Sequence, residues 1–502
     1  MDSHHEIERT YEPAPGQSVP DLTDLPGVVA VAAPHQVELS ATYFDTPDLA
    51  LVRAGVSLRR RTGGPDEGWH LKVPSQLGRD EIRLPLARSR RSVPAALRRV
   101  VLGWTRHAEL VVVATAGTSR TTYALLDGDG NQLAELADDR VTATAEGSPE
   151  TVTWREWELE LVAGGPELLE AADGLLGRAG VRPSEQPRKI ARALGDRLPR
   201  PAKVRKVGPG KPSGRLLQAR LTNQVAELLR HDSEIRRGLP VGVHQARVCC
   251  RRLRGALATF RPLVDAEVTD PIRNELQWLQ RALGDARDAH VVHERLLALV
   301  DEEEQVIGPV RRRLDRTYRA RAREAQRVLT DVLSSDRYVA LLDDLDRLTA
   351  APPWTGEADR PAKEMLRKRV LKDWKRLSRR VEALEASPGD TATHDEALHD
   401  VRKAAKRLRH ALEVVEPVWK KESKPMRRLA KLTTRALGER QDTVLTRQDL
   451  VAIANTAAQD GENSFTYGRL HHREEVVTDE QERRFERRWH SASRKQVTGW
   501  LA

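Results

Sequence analysis

Over the first 196 residues, apolar and polar positions alternate. Runs such as Ser57-Leu58-Arg59-Arg60-Arg61 and Trp157-Glu158-Leu159-Glu160-Leu161 set leucines on one face and charged side chains on the other, the period of a half-buried strand. Gly, Asp and Pro turns separate these runs, and Asp127-Gly128-Asp129-Gly130-Asn131 between two of them signals a hairpin. Stretches near 48–53, 93–102 and 166–179 read as helix instead, which makes this half α+β. A Pro/Gly-rich segment from Pro199 to Pro212 cannot continue a helix and reads as a spacer. Beyond it the period changes to 3.6 in a Leu/Ala/Arg-rich sequence. Helices are predicted over about 215–231, 243–261, 271–300, 303–333, 361–386, 394–415, 423–436 and 479–500, an all-α half.

The helical half repeats itself. Val243-His244-Gln245-Ala246-Arg247 with Arg251-Arg252-Leu253-Arg254 matches Leu398-His399-Asp400-Val401-Arg402 with Lys406-Arg407-Leu408-Arg409. Downstream, Ala282-Leu283-Gly284-Asp285 matches Ala436-Leu437-Gly438-Glu439 at nearly the same offset. Two blocks that keep their spacing imply two related helical bundles. The expected organisation is a first domain over 1–196, a basic linker over 197–214, and a helical domain over 215–502 with repeats at about 215–350 and 361–502.

Charge sharpens this division. The 502 residues carry a net charge of +10, but it is unevenly spread: −7 over 1–196, +6 over 197–214 and +11 over 215–502. The helical half should therefore seek a polyanion. Adjacent Cys249 and Cys250 cannot build a disulfide framework, and the first residues lack a signal-peptide pattern. No apolar run is long enough for a transmembrane helix. Together these point to the cytoplasm and away from a membrane partner.

On a helix, positions i, i+3, i+7 and i+10 share a face. In the first repeat these are His244, Arg247, Arg251 and Arg254, with Arg252 beside them; in the second, His399, Arg402, Lys406 and Arg409, with Arg407. Like charges at such spacing repel. The bland explanation is a solvated face, or one paired with acids such as Asp285, Asp288 and Asp442; the repetition of the stripe favours an external polyanion. These motifs resemble the CHAD domain, a helical domain of two four-helix repeats. The resemblance implies binding of inorganic polyphosphate by His244, Arg247, Arg251, Arg252, Arg254, His399, Arg402, Lys403, Lys406, Arg407 and Arg409, and association with polyphosphate granules. Nucleic acid is disfavoured because the stripes carry no aromatic side chain on which a base could stack.

In the first half, Glu6-Ile7-Glu8-Arg9-Thr10 and Glu156-Trp157-Glu158-Leu159-Glu160 each align carboxylates on one strand face. Arg59, Arg61, His70, Lys72, Arg83 and Arg120 fall in the same phase, with Leu58, Leu71, Ile82 and Leu84 opposite. Periodicity permits either a charged face in solvent or a charged lining inside a closed barrel. The ordered set of Glu6-x-Glu8, Tyr43-Phe44-Asp45-Thr46-Pro47, Leu58-Arg59-Arg60-Arg61, Trp69-His70-Leu71-Lys72, Thr118-Ser119-Arg120, Glu135 to Val141, the closing Glu run and Arg188-Lys189 resembles the CYTH domain of the triphosphate tunnel enzymes over residues 4–195.

That resemblance implies a closed eight-stranded antiparallel tunnel that takes a triphosphate-type small substrate with Mg²⁺ or Mn²⁺ and hydrolyses a phosphoanhydride. Glu6, Glu8, Glu158 and Glu160 would hold the metal, with Glu156 and Asp139 in lesser roles. Arg59, Arg61, Lys72, Arg83 and Arg120 would neutralise the phosphates, and Glu8, Lys72 and Lys189 would serve catalysis. One departure stands out. The opening signature of the family ends in lysine, where this chain has Thr10. Threonine brings no charge and cannot act as a base near neutral pH, so the alternative is a phosphate-binding protein without turnover. The organic substituent on the phosphate, as in thiamine triphosphate or a nucleotide, stays open.

Overall fold

A computed structural model describes residues 2–75, 78–86, 92–186, 188–198, 206–386 and 391–501; of residues 2, 3, 287–290, 391 and 392 it describes the backbone alone. Residues 199–205 of the expected linker, and the side chain of Asp288, lie outside the described set. Contacts divide the chain into two units, Met1–Lys203 and Val204–Ala502.

The first unit is an antiparallel sheet that closes on itself. Its strands are β1 (Asp2–Glu6), β2 (Glu8–Glu12), β3 (Ala30–Val31), β4 (His35–Asp45), β5 (Ser57–Thr62), β6 (Gly68–Pro74), β7 (Arg79–Leu84), β8 (Val111–Leu126), β9 (Gln132–Ala145), β10 (Thr151–Leu161) and β11 (Arg182–Pro183). The hydrogen-bonded order is β1-β7-β6-β5-β4-β8-β9-β10-β2-β11, with β3 on β8. β1 and β2 stand at opposite ends of that path, yet only Ile7 separates them in the chain. One N-terminal strand therefore pairs with β7 through its first half and with β10 through its second. Counted as one, it makes an eight-stranded ring, and β3 and β11 are two-residue additions. The expected tunnel is present. Ring closure is the fact that alternation could not supply.

Closure sorts the two faces. Tyr11, Leu125, Leu136, Trp157 and Leu159 point out of the ring and are covered by α3 (Pro166–Arg178), through Leu168, Leu169, Ala172 and Leu176, and by Leu22, Leu25 and Val28 of the β2–β3 connection. α1 (Ala50–Arg53) and α2 (Ala95–Thr105) lie against each other, and Leu49 and Val52 pack with α4 (Lys189–Leu194). A turn at Gly63, φ +81°, lets the chain pass where any Cβ would lie 2.2 Å from the Glu38 carbonyl. α4 goes elsewhere. Its Ile190, Ala191, Ala193 and Leu194 pack on Ala41, Tyr43, Ala114, Ala116, Val141 and Ala143, which share strand phase with the charged lining. Small residues at those strand positions make room for a helix inside, and α4 stoppers one end of the tunnel.

The second unit holds α5 (Ser213–Arg236), α6 (Pro240–Thr259), α7 (Ala266–Asp301), α8 (Val310–Leu333), α9 (Asp336–Ala350), α10 (Ala362–Glu385), α11 (Thr391–Trp419), α12 (Lys424–Gln459), α13 (Phe465–His490) and α14 (Arg494–Thr498). α5–α8 and α10–α13 are the two repeats, each built from consecutive helices packed as hairpins. α9 was not among the expected helices, although Tyr338, Leu341, Leu342, Leu345 and Leu348 give it a buried stripe. α12 runs well beyond the expected 436, its later buried face mixing Thr443, Thr446 and Ala457 with Leu437, Leu450 and Ile453. Among the described residues, no helix is long and apolar enough to cross a membrane.

Candidate functional site

The interior of the ring is a cavity of about 200 Å³ lined almost wholly by charge. Arg59 and Arg61 enter from β5, Lys72 from β6, Arg79, Glu81 and Arg83 from β7, and Arg120 from β8; Glu6 and Glu8 come from the N-terminal strand, Glu135 from β9, and Glu158 and Glu160 from β10. Register explains the assembly: Glu8 faces Glu160, Thr10 faces Glu158, and Lys72 faces Glu81, so in-phase residues converge once the sheet curls.

Two networks occupy the lining. In the first, Lys72 Nζ lies 2.5 Å from Glu6 and 3.8 Å from Glu8, Arg79 lies 3.6 Å from Glu8, and Arg59 lies 3.9 Å from Glu81. His70, 1% exposed, pairs through Nδ1 with Glu81 at 2.9 Å, and burial pushes its pKa down to about 4. Burial pushes the Glu6 carboxyl up to about 7 despite Lys72, and it also raises Glu160. Burial pushes Arg61 down to about 9, aided by Arg59 and Arg120. On this side burial disfavours the charged forms of Glu6, Glu160 and Arg61.

In the second network, Lys189, at the first turn of α4, places Nζ 2.6 Å from Glu158, 2.6 Å from Glu156 and 2.9 Å from Asp139. Arg120 donates to Asp139 through Nε and Nη2, both at 2.7 Å, and to Glu158 at 2.6 Å. Asp139, Glu156 and Glu158 are close enough to share one cation, and an ammonium already stands among them. Burial disfavours charge on Lys189, but Asp139, Glu158 and Glu156 outweigh it and raise its pKa; for Lys72, Glu8 and Glu6 do the same. Both lysines are ammonium ions at neutral pH. Neither can take a proton from water, so their contribution is charge.

In the helical unit, α6 and α11 cross with Gly255 against His410, where an added Cβ would lie 3.0 Å from the imidazole-bearing side chain. Arg247, Arg251, Arg402, Lys406 and Arg409 face one another near this crossing. Burial, then Arg402, Arg251 and Arg247, push Lys406 down to about 7 against the pull of Asp442. Burial, then Arg409 and Arg247, push Arg251 down to about 10. The repeated Ala-Leu-Gly motif has a geometric reason. An added Cβ at Gly284 would lie 3.6 Å from the Arg247 guanidinium, and one at Gly438 would lie 3.7 Å from that of Arg402, so each arginine lies along a bare turn of the next helix.

The stripe does not stay together. Arg252 pairs with Glu413 at 2.8 Å, Arg409 reaches the same carboxylate at 3.5 Å, and Arg254 donates to Gln277 and Gln280 at 2.8 and 3.0 Å. Arg407 pairs with Asp373 at 2.9 Å, and Lys403 stands near Asp400 at 3.4 Å. His244 is exposed; His399 is half-buried and hydrogen-bonds Gln441.

A protein of Mycobacterium tuberculosis described as uncharacterized is 34% identical over 492 residues, which is 94% of this chain and 93% of that one. The CYTH domain matches residues 4–179 and the CHAD domain residues 219–451. The chain belongs to the CYTH–CHAD family. Thiamine-triphosphatase of Macaca fascicularis is 41% identical over 73 residues, 14% of this chain and 28% of that protein. Among solved structures, PptA from Streptomyces chartreusis aligns at a TM-score of 0.48 with 24% identity, over 56% of this chain and 100% of that one.

The CYTH tunnel brings together Glu6, Glu8, Arg59, Arg61, Lys72, Arg83, Arg120, Glu158, Glu160 and Lys189. Asp139 and Glu156 stand behind Lys189, fully buried. Sequence reasoning gave no role to Arg79 or Arg188. Arg79 shares the phase of Glu81 and Arg83 and was legible by alternation, whereas Asp66, which pairs with Arg61 from a turn, carried no periodic signal. In the CHAD unit, the groove at the α6–α11 crossing draws on Arg247, Arg251, Arg402, Lys406 and Arg409, while Arg252, Arg254 and Arg407 turn to neighbouring helices.

Proposed function

We propose that this CYTH–CHAD protein hydrolyses a short phosphoanhydride, with inorganic triphosphate as the reference substrate, in its CYTH tunnel, and binds inorganic polyphosphate through the CHAD groove. The carrying observation is the closed interior in which Arg59, Arg61, Lys72, Arg79 and Arg120 crowd together opposite Glu6, Glu8 and Glu160. Neither set is at ease alone. Burial with Arg59 and Arg120 disfavours charge on Arg61, and burial disfavours ionisation of Glu6 and Glu160, so a polyanion with a divalent cation would relieve both.

The donor set suits a hard metal: Glu6, Glu8 and Glu160 line the cavity and offer carboxylate oxygens. Glu158 joins them at the edge of its contact with Lys189. Mg²⁺ or Mn²⁺ held there would polarise a phosphoryl oxygen and offset charge that develops during transfer. The arginines and Lys72 orient the chain and neutralise its oxygens, so stabilisation is electrostatic and preorganised. Lys189, between Asp139, Glu156 and Glu158, fixes the β10 carboxylates where Thr10 brings no charge. Glu8 is the candidate to accept a proton from the attacking water, since Lys72 and Lys189 are held protonated.

The assay is phosphate release from tripolyphosphate with Mg²⁺ or Mn²⁺, followed by thiamine triphosphate and nucleoside triphosphates to define the substituent. Release that survives Glu158→Ala combined with Glu160→Ala ends the hydrolase reading. Thr10, 5% exposed and opposite Glu158, favours a second reading, binding without turnover. It expects metal-dependent tripolyphosphate binding with no release.

A further inference from the structure

A second cationic hollow lies in the helical unit, at the C-terminal end of α6 beside α10 and α11. It measures about 350 Å³ and is lined by Arg261, Arg273, Arg369, Lys372 and Arg407 around a buried Asp373. Asp373, 2% exposed, accepts from Thr259 Oγ1 at 2.6 Å and pairs with Arg407 at 2.9 Å and Arg376 at 3.3 Å. Asp270, just outside, pairs with Arg261 at 2.8 Å and Arg273 at 2.7 Å. The cations outnumber these acids, and the Nε groups of Arg273 and Arg369 are buried without a hydrogen-bond partner.

The internal repeat supplies the comparison. Aligning the bridged Pro212 with Pro361, and His244 with His399, makes Arg220 and Arg252 the counterparts of Arg369 and Arg407; Arg427 is the counterpart of Arg273. In that other copy the cations are neutralised: Arg220 and Arg252 both pair with Glu413, and Arg427 pairs with Glu416. One repeat earlier, the positions of Glu413 and Glu416 are Ala258 and Arg261. The arginines are kept, and both internal counter-ions are gone. Asp373 and Asp270 answer only part of this charge, and Arg369 and Lys372 add to an excess that an anion from outside would neutralise.

We propose that this hollow is an anion site for a compact phosphate-class dianion, either free orthophosphate or the terminal group of a phosphate chain, and that it acts independently of the central groove. Arginine forks suit such a tetrahedral anion. The proposal stands whether or not the CYTH tunnel turns over substrate.

The test is calorimetric titration of the full chain with orthophosphate. Ala258→Glu restores the counter-ion that the other repeat has, and it should weaken orthophosphate binding by tenfold or more. Arg327→Gln, on the exposed side of α8, should leave this binding unchanged. Arg407→Gln serves as the second variant should Ala258→Glu not fold, and it should weaken binding likewise. Displacement of the Ala258→Glu-sensitive orthophosphate by tripolyphosphate identifies a chain end as the occupant; retention identifies free phosphate. Wild-type affinity in a folded Ala258→Glu or Arg407→Gln chain overturns the proposal, as does loss of binding in Arg327→Gln.

Discussion

Lys406 offers the most direct electrostatic measurement on this chain. Its ammonium is pushed from 10.5 to about 7 by burial and by Arg402, Arg251 and Arg247. A gap of that size corresponds to ~5 kcal/mol between protonated and neutral forms. The sign follows from linkage. The folded-state pKa lies below the unfolded one, so folding is penalised fully below about pH 7, and the penalty fades as pH rises toward 10.5. A bound polyanion reverses the repulsion and returns the pKa toward its ordinary value. At pH 8 the free chain holds roughly a tenth of a proton at this site and the complex nearly a whole one, so binding should take up roughly 0.9 proton. Titration calorimetry with long-chain polyphosphate, in two buffers of different ionisation enthalpy, reads that number directly. Affinity should also fall by up to about tenfold per pH unit above 7. Lys406→Met should lose the proton uptake while keeping much of the affinity through the arginines. Equal uptake by wild type and Lys406→Met would refute the account of the groove.

Other consequences can be checked separately. Lys189→Met leaves Asp139, Glu156 and Glu158 without their shared ammonium; thermal unfolding in chelator should show a loss of ~3–5 kcal/mol, with recovery on adding Mn²⁺ as a replacement cation. Gly255→Ala forces a Cβ to 3.0 Å from His410 at the α6–α11 crossing, and should cost ~1–3 kcal/mol in denaturant melts. Thr10→Lys restores charge opposite Glu158 and should raise the rate of tripolyphosphate hydrolysis; an unchanged rate removes that position from the chemistry. Polyphosphate binding should weaken steeply between low and physiological salt, as expected of contacts made to phosphate charge.

Much of the candidate site could be read from alternation, because a strand's period assigns a face to each residue before its partners are known. Glu6, Arg59, Lys72, Glu158 and Glu160 fall in one phase, and the structure brings them into one cavity. The helical stripe was legible for the same reason at a period of 3.6, but a face of a helix spans several neighbours. Arg247, Arg251, Arg402 and Lys406 share the groove, whereas Arg252, Arg254 and Arg407 meet Glu413, glutamines of α7, and Asp373. Helix α9 and the far end of α12 went unread; in the latter, buried Thr443 and Thr446 interrupt the apolar period before Leu450 and Ile453 resume it.

The sequence by itself determined the two classes of structure, the internal repeat, the phase of every charged strand residue and the missing lysine at Thr10, since each is a property of local spacing. Tertiary structure alone decided that the charged strand face is an interior. That depends on one strand handing over at Ile7 from β7 to β10, a contact between the two ends of the sheet that no local period encodes. It also decided which carboxylates face an ammonium and which do not. Lys189 reaches Asp139, Glu156 and Glu158 because small residues on β4, β8 and β9 admit α4 inside the ring.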